Sequence, residues 1–135
     1  MVCQGDIADG LDPYGDGAFD FVLLIGTFQE LVQPAEILRE AFRVGRRVIL
    51  SFTNFGHYQV RLQVLLRGRT PTTLSLPTPW HRTRNLHSLS VADFREFRHD
   101  AAIQEERRAF FSGERSIKWL PNLCAKMAVF ELRTK

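Results

Sequence analysis

The stretch that most constrains this chain is Phe19-Asp20-Phe21-Val22-Leu23-Leu24-Ile25-Gly26-Thr27-Phe28-Gln29-Glu30. Acidic, glycine-rich sequence leads into it (Asp6, Asp9, Gly10, Asp12, Gly15, Asp16, Gly17), and small and polar residues follow the apolar run. A continuous apolar run bounded by turn residues predicts a strand buried on both faces, as inside a parallel sheet. Ligands of open α/β sheets sit just beyond the carboxyl ends of such strands. Gly26, Thr27 and Gln29 therefore stand at the rim of a candidate site. The competing reading is a core strand followed by a plain loop.

The pattern continues in the same style. Pro34 suits a first helical turn, where its missing N–H costs nothing. Ile37, Leu38, Ala41 and Phe42 share one face of that helix, which should end at Gly45. An apolar strand over 46–52 follows, so strand, helix and strand form a βαβ unit with a right-handed crossover. Asn54-Phe55-Gly56 reads as a turn. Tyr58, Arg61, Leu62, Leu65 and Leu66 suit an amphipathic helix stopping at Gly68. Residues 69–89 form a long Pro- and Thr-rich loop carrying Trp80, His81 and His87, a length that in a compact domain signals function or mobility. Ser90-Val91-Ala92-Asp93 has the form of a capping box. Strands are expected over 103–111 and 127–132, joined by a loop over 112–123 that is too short for a helical crossover, so they should be antiparallel. Val2-Cys3-Gln4 reads as the end of an earlier strand, closed by Gly5-Asp6.

Charge is unevenly spread. Residues 1–40 hold eight acids and one base, whereas residues 41–92 hold eight arginines, three histidines and no acid. The basic segment fits an anionic ligand or an acidic partner; equally, it balances the acidic segment within one domain. No nucleic-acid-binding module accompanies it, which argues against nucleic acid as a partner. No apolar run approaches the roughly 20 residues of a membrane span. Cys3 and Cys124 have no ligand-like spacing, and with no signal peptide ahead of them they point to free thiols in the cytoplasm.

Chemistry is sparse. The histidines, His57, His81, His87 and His99, show no metal-ligand spacing. Ser51 and Ser112 lack the glycine-flanked elbow of a nucleophile. Asp6, at the carboxyl end of a strand, can accept a hydrogen bond from an exocyclic amine such as that of adenine, although a turn or cap aspartate has the same signature. Asn54 and His57 follow the second strand and could position a polar substrate; alternatively they cap and line a helix.

The chain resembles the methionine biosynthesis protein MetW family, which has a class I S-adenosylmethionine-dependent methyltransferase fold. The resemblance rests on Phe19-Asp20-Phe21-Val22-Leu23, Thr27-Phe28-Gln29, Val44-Gly45-Arg46-Arg47 and, above all, the run from Ser51 to Gln63 containing Asn54-Phe55-Gly56-His57-Tyr58. Leu66-Arg67-Gly68-Arg69, Asn85-Leu86-His87, Asp93-Phe94, Phe111-Ser112-Gly113 and Leu120-Pro121-Asn122-Leu123 extend it; Thr53 and Arg84 replace the family's usual prolines. It implies one α/β, Rossmann-like domain over residues 1–135, with a mostly parallel sheet, a C-terminal antiparallel hairpin and the family's first βαβ unit missing. It also implies S-adenosylmethionine as cofactor, with Asp6 and Ile7 at adenine and Gly26, Thr27 and Gln29 nearby. Substrate or partner contacts fall to Asn54, His57, Trp80 and His87. The implied partner is homoserine O-acyltransferase, with or without methyl transfer by this chain. Because the family's glycine-rich cofactor loop is not in this sequence, the chain is expected to hold the cofactor poorly. Its apolar strand at 19–25 is expected to become a sheet edge prone to self-association.

Overall fold

A computed structural model describes residues 4–133. Five strands, β1 (Phe19–Ile25), β2 (Gly45–Thr53), β3 (Gln104–Ser112), β4 (Arg115–Ser116) and β5 (Met127–Arg133), form one sheet in the order β1-β2-β5-β3-β4. Four helices accompany it: α1 (Pro34–Val44), α2 (Tyr58–Arg67), α3 (Val91–Asp100) and the single turn α4 (Pro121–Cys124).

The expected βαβ unit forms, with β1 and β2 parallel and α1 between them. The expectation of a mostly parallel sheet does not hold. Among the described residues only β1 and β2 run parallel, while β2–β5, β5–β3 and β3–β4 are antiparallel. The reason is β5, which inserts between β2 and β3 and runs against both. The antiparallel pairing of the last two long strands is as the short connection requires. That connection is more structured than a loop, since it contains β4 and α4. Of the expected first strand, Val2 and Cys3 lie outside the described residues, and Gln4 is irregular and exposed.

Alternation decides where the core sits. Leu24, Val48, Leu50, Phe52, Phe110, Ala128, Phe130 and Leu132 cluster with Ile37, Leu38 and Ala41 of α1 and Val91 and Phe94 of α3. Phe94 is the hub, its ring centroid lying 4.7 Å from Phe130, 5.3 Å from Phe52 and 6.0 Å from Phe28. The capping box on α3 is present in both directions: Ser90 Oγ accepts from the Asp93 N–H, and the Asp93 carboxylate accepts from the Ser90 N–H. Gly45 follows α1 in extended backbone rather than a left-handed turn, and it is crowding that keeps a side chain out, since a Cβ there would lie 2.5 Å from Val22 Cγ2.

The opposite sheet face is open at β1. Phe19, Phe21, Leu23 and Ile25 are 41–61% exposed, whereas Leu24 on the core side is 2% exposed. Burial on both faces is therefore overturned for this strand, which among the described residues pairs on one side only and shows its outer face to solvent. Further along the same face, Glu131 accepts from Arg47 at 2.9 Å and faces Arg107 at 3.7 Å. Helix α2 ends at Gly68 as expected, in the left-handed conformation (φ 58°). Its expected apolar face is nevertheless turned out: Leu62, Leu65 and Leu66 are exposed, and Val60 is its buried residue.

Part of the charge asymmetry is resolved inside the domain. Arg43 pairs with Glu40 and Asp16 and donates to the carbonyls of Tyr14 and Leu11, clamping the acidic loop onto α1. The Arg43 hydrogen bond holds the Glu40 carboxyl below its ordinary range. No helix among the described residues is long and apolar enough to cross a membrane.

Candidate functional site

The carboxyl ends of β1 and β2 lie side by side because the strands are parallel and in register, Ile25 opposite Ser51. Just beyond β1, a cleft of about 660 Å³ is lined by Gln4, Gly5, Asp6, Ile7, Leu23, Leu24 and Thr27. It brings Asp6, Ile7 and Thr27, three of the residues singled out from the sequence, to one place. Gly26 turns the chain there in the left-handed region (φ 68°), and nothing lies within 4 Å of where its Cβ would be. Its N–H donates to Ser51 Oγ at 3.0 Å and to the Ser51 carbonyl at 3.3 Å, which ties the rim of β1 to the end of β2.

Gln29 is 3% exposed and its amide acts as a short piece of strand. Its Nε2 donates to the Thr53 carbonyl at 2.9 Å, and its Oε1 accepts from the Thr53 N–H at 3.0 Å. Its backbone carbonyl accepts from Leu86 and His87 N–H groups, fastening the end of the long loop to the rim. His87 is itself exposed; its Nε2 sits 2.9 Å from the Leu31 carbonyl. With Phe28, Leu89, Phe94 and Phe97, it lines an apolar cavity of about 330 Å³ beside the rim. Trp80 is not brought here: it lines a separate cleft with the end of α2.

Asn54 is completely buried. Its Nδ2 donates to the carbonyls of Ala125 (2.8 Å), Asn122 (3.0 Å) and Pro121 (3.3 Å). Its Oδ1 accepts from the N–H groups of Gly56 (3.0 Å) and Val91 (3.1 Å). One side chain thus joins the end of β2, the start of α3 and the α4 turn. Asn122 supports it, its Oδ1 accepting from the Ala92 N–H at 3.2 Å. Sequence reasoning assigned Asn122 no role. Its position directly after Pro121 in a turn was the available signal, because asparagine side chains satisfy backbone groups in turns.

His57 is 1% exposed and caps α2, its Nδ1 accepting from the Gln59 N–H at 3.3 Å. Burial, with a smaller contribution from the Lys126 charge, holds its pKa below the ordinary 6.5. The imidazole is therefore neutral at physiological pH, and its Nδ1 serves the helix end. The sign for stability follows. Above the unfolded value of 6.5 the histidine is neutral in both states and the folded chain loses nothing. Below it the unfolded chain takes up a proton that the folded chain resists, so stability falls with pH. His57→Asn keeps a capping acceptor and removes the titration. Its melting temperature is expected to fall less than the wild type's between about pH 7.5 and 5.5 in thermal melts.

Among the described residues no group of three His, Cys, Asp or Glu side chains could hold a metal ion.

Comparison with known proteins gives the family and the fold. The chain is similar to a Rhodopirellula baltica protein described as a bifunctional methionine biosynthesis protein MetXA/MetW, 36% identical over 96 residues. Those residues are 70% of this chain but 15% of the relative. The fold of this chain resembles that of solved methyltransferases. An S-adenosylmethionine-dependent methyltransferase from Thermotoga maritima aligns with TM-score 0.61 at 16% identity, covering 95% of this chain and 61% of that one. A Haloferax volcanii methyltransferase complex with the Trm112 activator aligns with TM-score 0.55 at 16% identity, covering 96% of this chain and 59% of the other. The family profile for methionine biosynthesis protein MetW matches residues 1–132, and the chain belongs to that family.

Proposed function

We propose that this methionine biosynthesis protein receives the adenosyl end of S-adenosylmethionine at the rim of β1 and acts together with homoserine O-acyltransferase. The cleft that gathers Asp6, Ile7 and Thr27 at the carboxyl end of β1 carries the first part. Its residues fit adenine: a carboxylate to accept from the exocyclic amine and Ile7 and Leu23 as apolar walls, with an uncrowded Gly26 next to Thr27 for close backbone approach. When bound, the cofactor would supply an electrophilic methyl group on sulfur. The chain's own residues would bind and orient its adenosyl end, while Gln29 and Ser51 hold the rim in place.

A second reading, a non-catalytic partner of the acyltransferase, is supported by Gln29, Asn54 and His57. All three are buried and engaged with backbone groups, so what they do in this structure is brace the rim. The relative's fused name supports the partnership in either reading. Sedimentation of the chain mixed with the homoserine O-acyltransferase of its own organism tests it. A single faster-moving complex is expected, and independent boundaries at all concentrations would refute the partnership. Retention of that complex by Asp6→Ala would show that docking does not need the cofactor cleft.

A further inference from the structure

The fold treats its arginines in two ways. Arg43, Arg46, Arg47, Arg98, Arg107, Arg108 and Arg133 all lie against carboxylates. The other eight have no such partner among the described residues, and two of them, Arg67 and Arg69, line one cleft of about 530 Å³ together with Gln63, Thr70, Trp80 and His81. No acid lines this cleft, and none occurs anywhere between residues 41 and 92. Its walls are held together: the Gln63 amide donates to the Thr72 carbonyl and accepts from the Thr72 N–H, both at 2.9 Å, pinning the loop back onto α2. Pro79 closes a turn by accepting from the Arg82 and Thr83 N–H groups, and Trp80 at its head is 72% exposed. The carbonyl end of α2 contributes a partial negative charge, which two full guanidinium charges exceed.

We propose that this cleft is a second binding site, for a small phosphorylated ligand bearing a flat ring, of the nucleotide class. Arg67 and Arg69 supply charge-assisted donors for the phosphates, since guanidinium forks match phosphate oxygens. Trp80 supplies a face on which a ring stacks. The volume lies in the range of small-molecule sites rather than of an extended strand-binding groove. None of its lining residues belongs to the cleft beside Asp6, so this proposal and the cofactor reading fail or stand separately.

Calorimetric titration with UDP, uridine and pyrophosphate tests it, because uracil lacks the exocyclic amine that the cleft beside Asp6 would meet. UDP is expected to bind more tightly than either half alone. Arg67→Gln with Arg69→Gln should weaken UDP by about tenfold or more, in line with the loss of charge-assisted bonds. Trp80→Ala should weaken it severalfold, and Arg115→Gln, which removes an exposed charge outside the cleft, should leave it unchanged. All four residues are exposed, so circular dichroism should show the variants folded. Absence of UDP binding, equal binding by the arginine variant, or loss of binding in Arg115→Gln would overturn the proposal. So would an oligonucleotide that displaces UDP with affinity rising with its length, because that marks a polyanion groove.

Discussion

Asn54→Ala should lower stability by roughly 3–5 kcal/mol, enough to shift melting by about 10 °C or more. Removing the side chain, itself fully buried, strands two N–H groups and weakens the hydrogen bonding of three carbonyls. A buried donor or acceptor left unmade costs about 1–3 kcal/mol, and the sum is tempered by local relaxation. Asn54→Asp is no rescue: it keeps the acceptor for Gly56 and Val91 but turns a charge toward three carbonyl oxygens. The environment cannot simply close over the gap, because Gly56 already packs against Asn122; a Cβ at Gly56 would lie 2.6 Å from Asn122 Oδ1 and 2.9 Å from its carbonyl oxygen. Chemical denaturation followed by circular dichroism measures the loss. A change below about 1 kcal/mol would show that the five bonds do not hold these elements together.

Concentration-dependent self-association is the second large effect. The outer face of β1 presents Phe19, Phe21, Leu23 and Ile25 beside Ile49, on a strand paired on one side only among the described residues. Burying two such side chains against a second copy is worth about 1.5–3 kcal/mol each at best, and an unpaired strand edge adds backbone groups seeking partners. The 15.5 kDa chain is therefore expected to sediment above its monomer mass as concentration rises. Leu23→Lys with Ile25→Lys replaces exposed side chains and leaves Leu24 in the core, so folding should survive. The double variant should stay monomeric at concentrations at least about tenfold higher. Equal association of wild type and variant would move the contact elsewhere.

What could be read from sequence was local. The α1 face, the Ser90–Asp93 box and the Gly68 stop each depend on residues within a turn or two, and each is present. The resemblance carried the family and the fold class. What could not be read depended on distant partners. An apolar run such as 21–25 says that a strand forms, but not whether a neighbour covers its second face. Nothing in β5 announced that it would pair with β2 as well as β3, and that pairing makes the sheet mixed. Asn54 was legible as a polar residue after a strand. Its main partners lie 67–71 positions away, and only the folded chain shows that it braces the rim. Asp6, Ile7 and Thr27, named from the resemblance and from the strand's carboxyl end, lie together around one cleft.

The most direct test of the cofactor reading is calorimetric titration of the chain with S-adenosylmethionine and adenosine, repeated on Asp6→Ala. On this reading the cleft meets the adenosyl end, so both ligands should bind weakly and with similar affinity, and Asp6→Ala should reduce both by about tenfold, the loss of one hydrogen bond to a charged group. No binding by the wild type, or binding that Asp6→Ala leaves untouched, would contradict it.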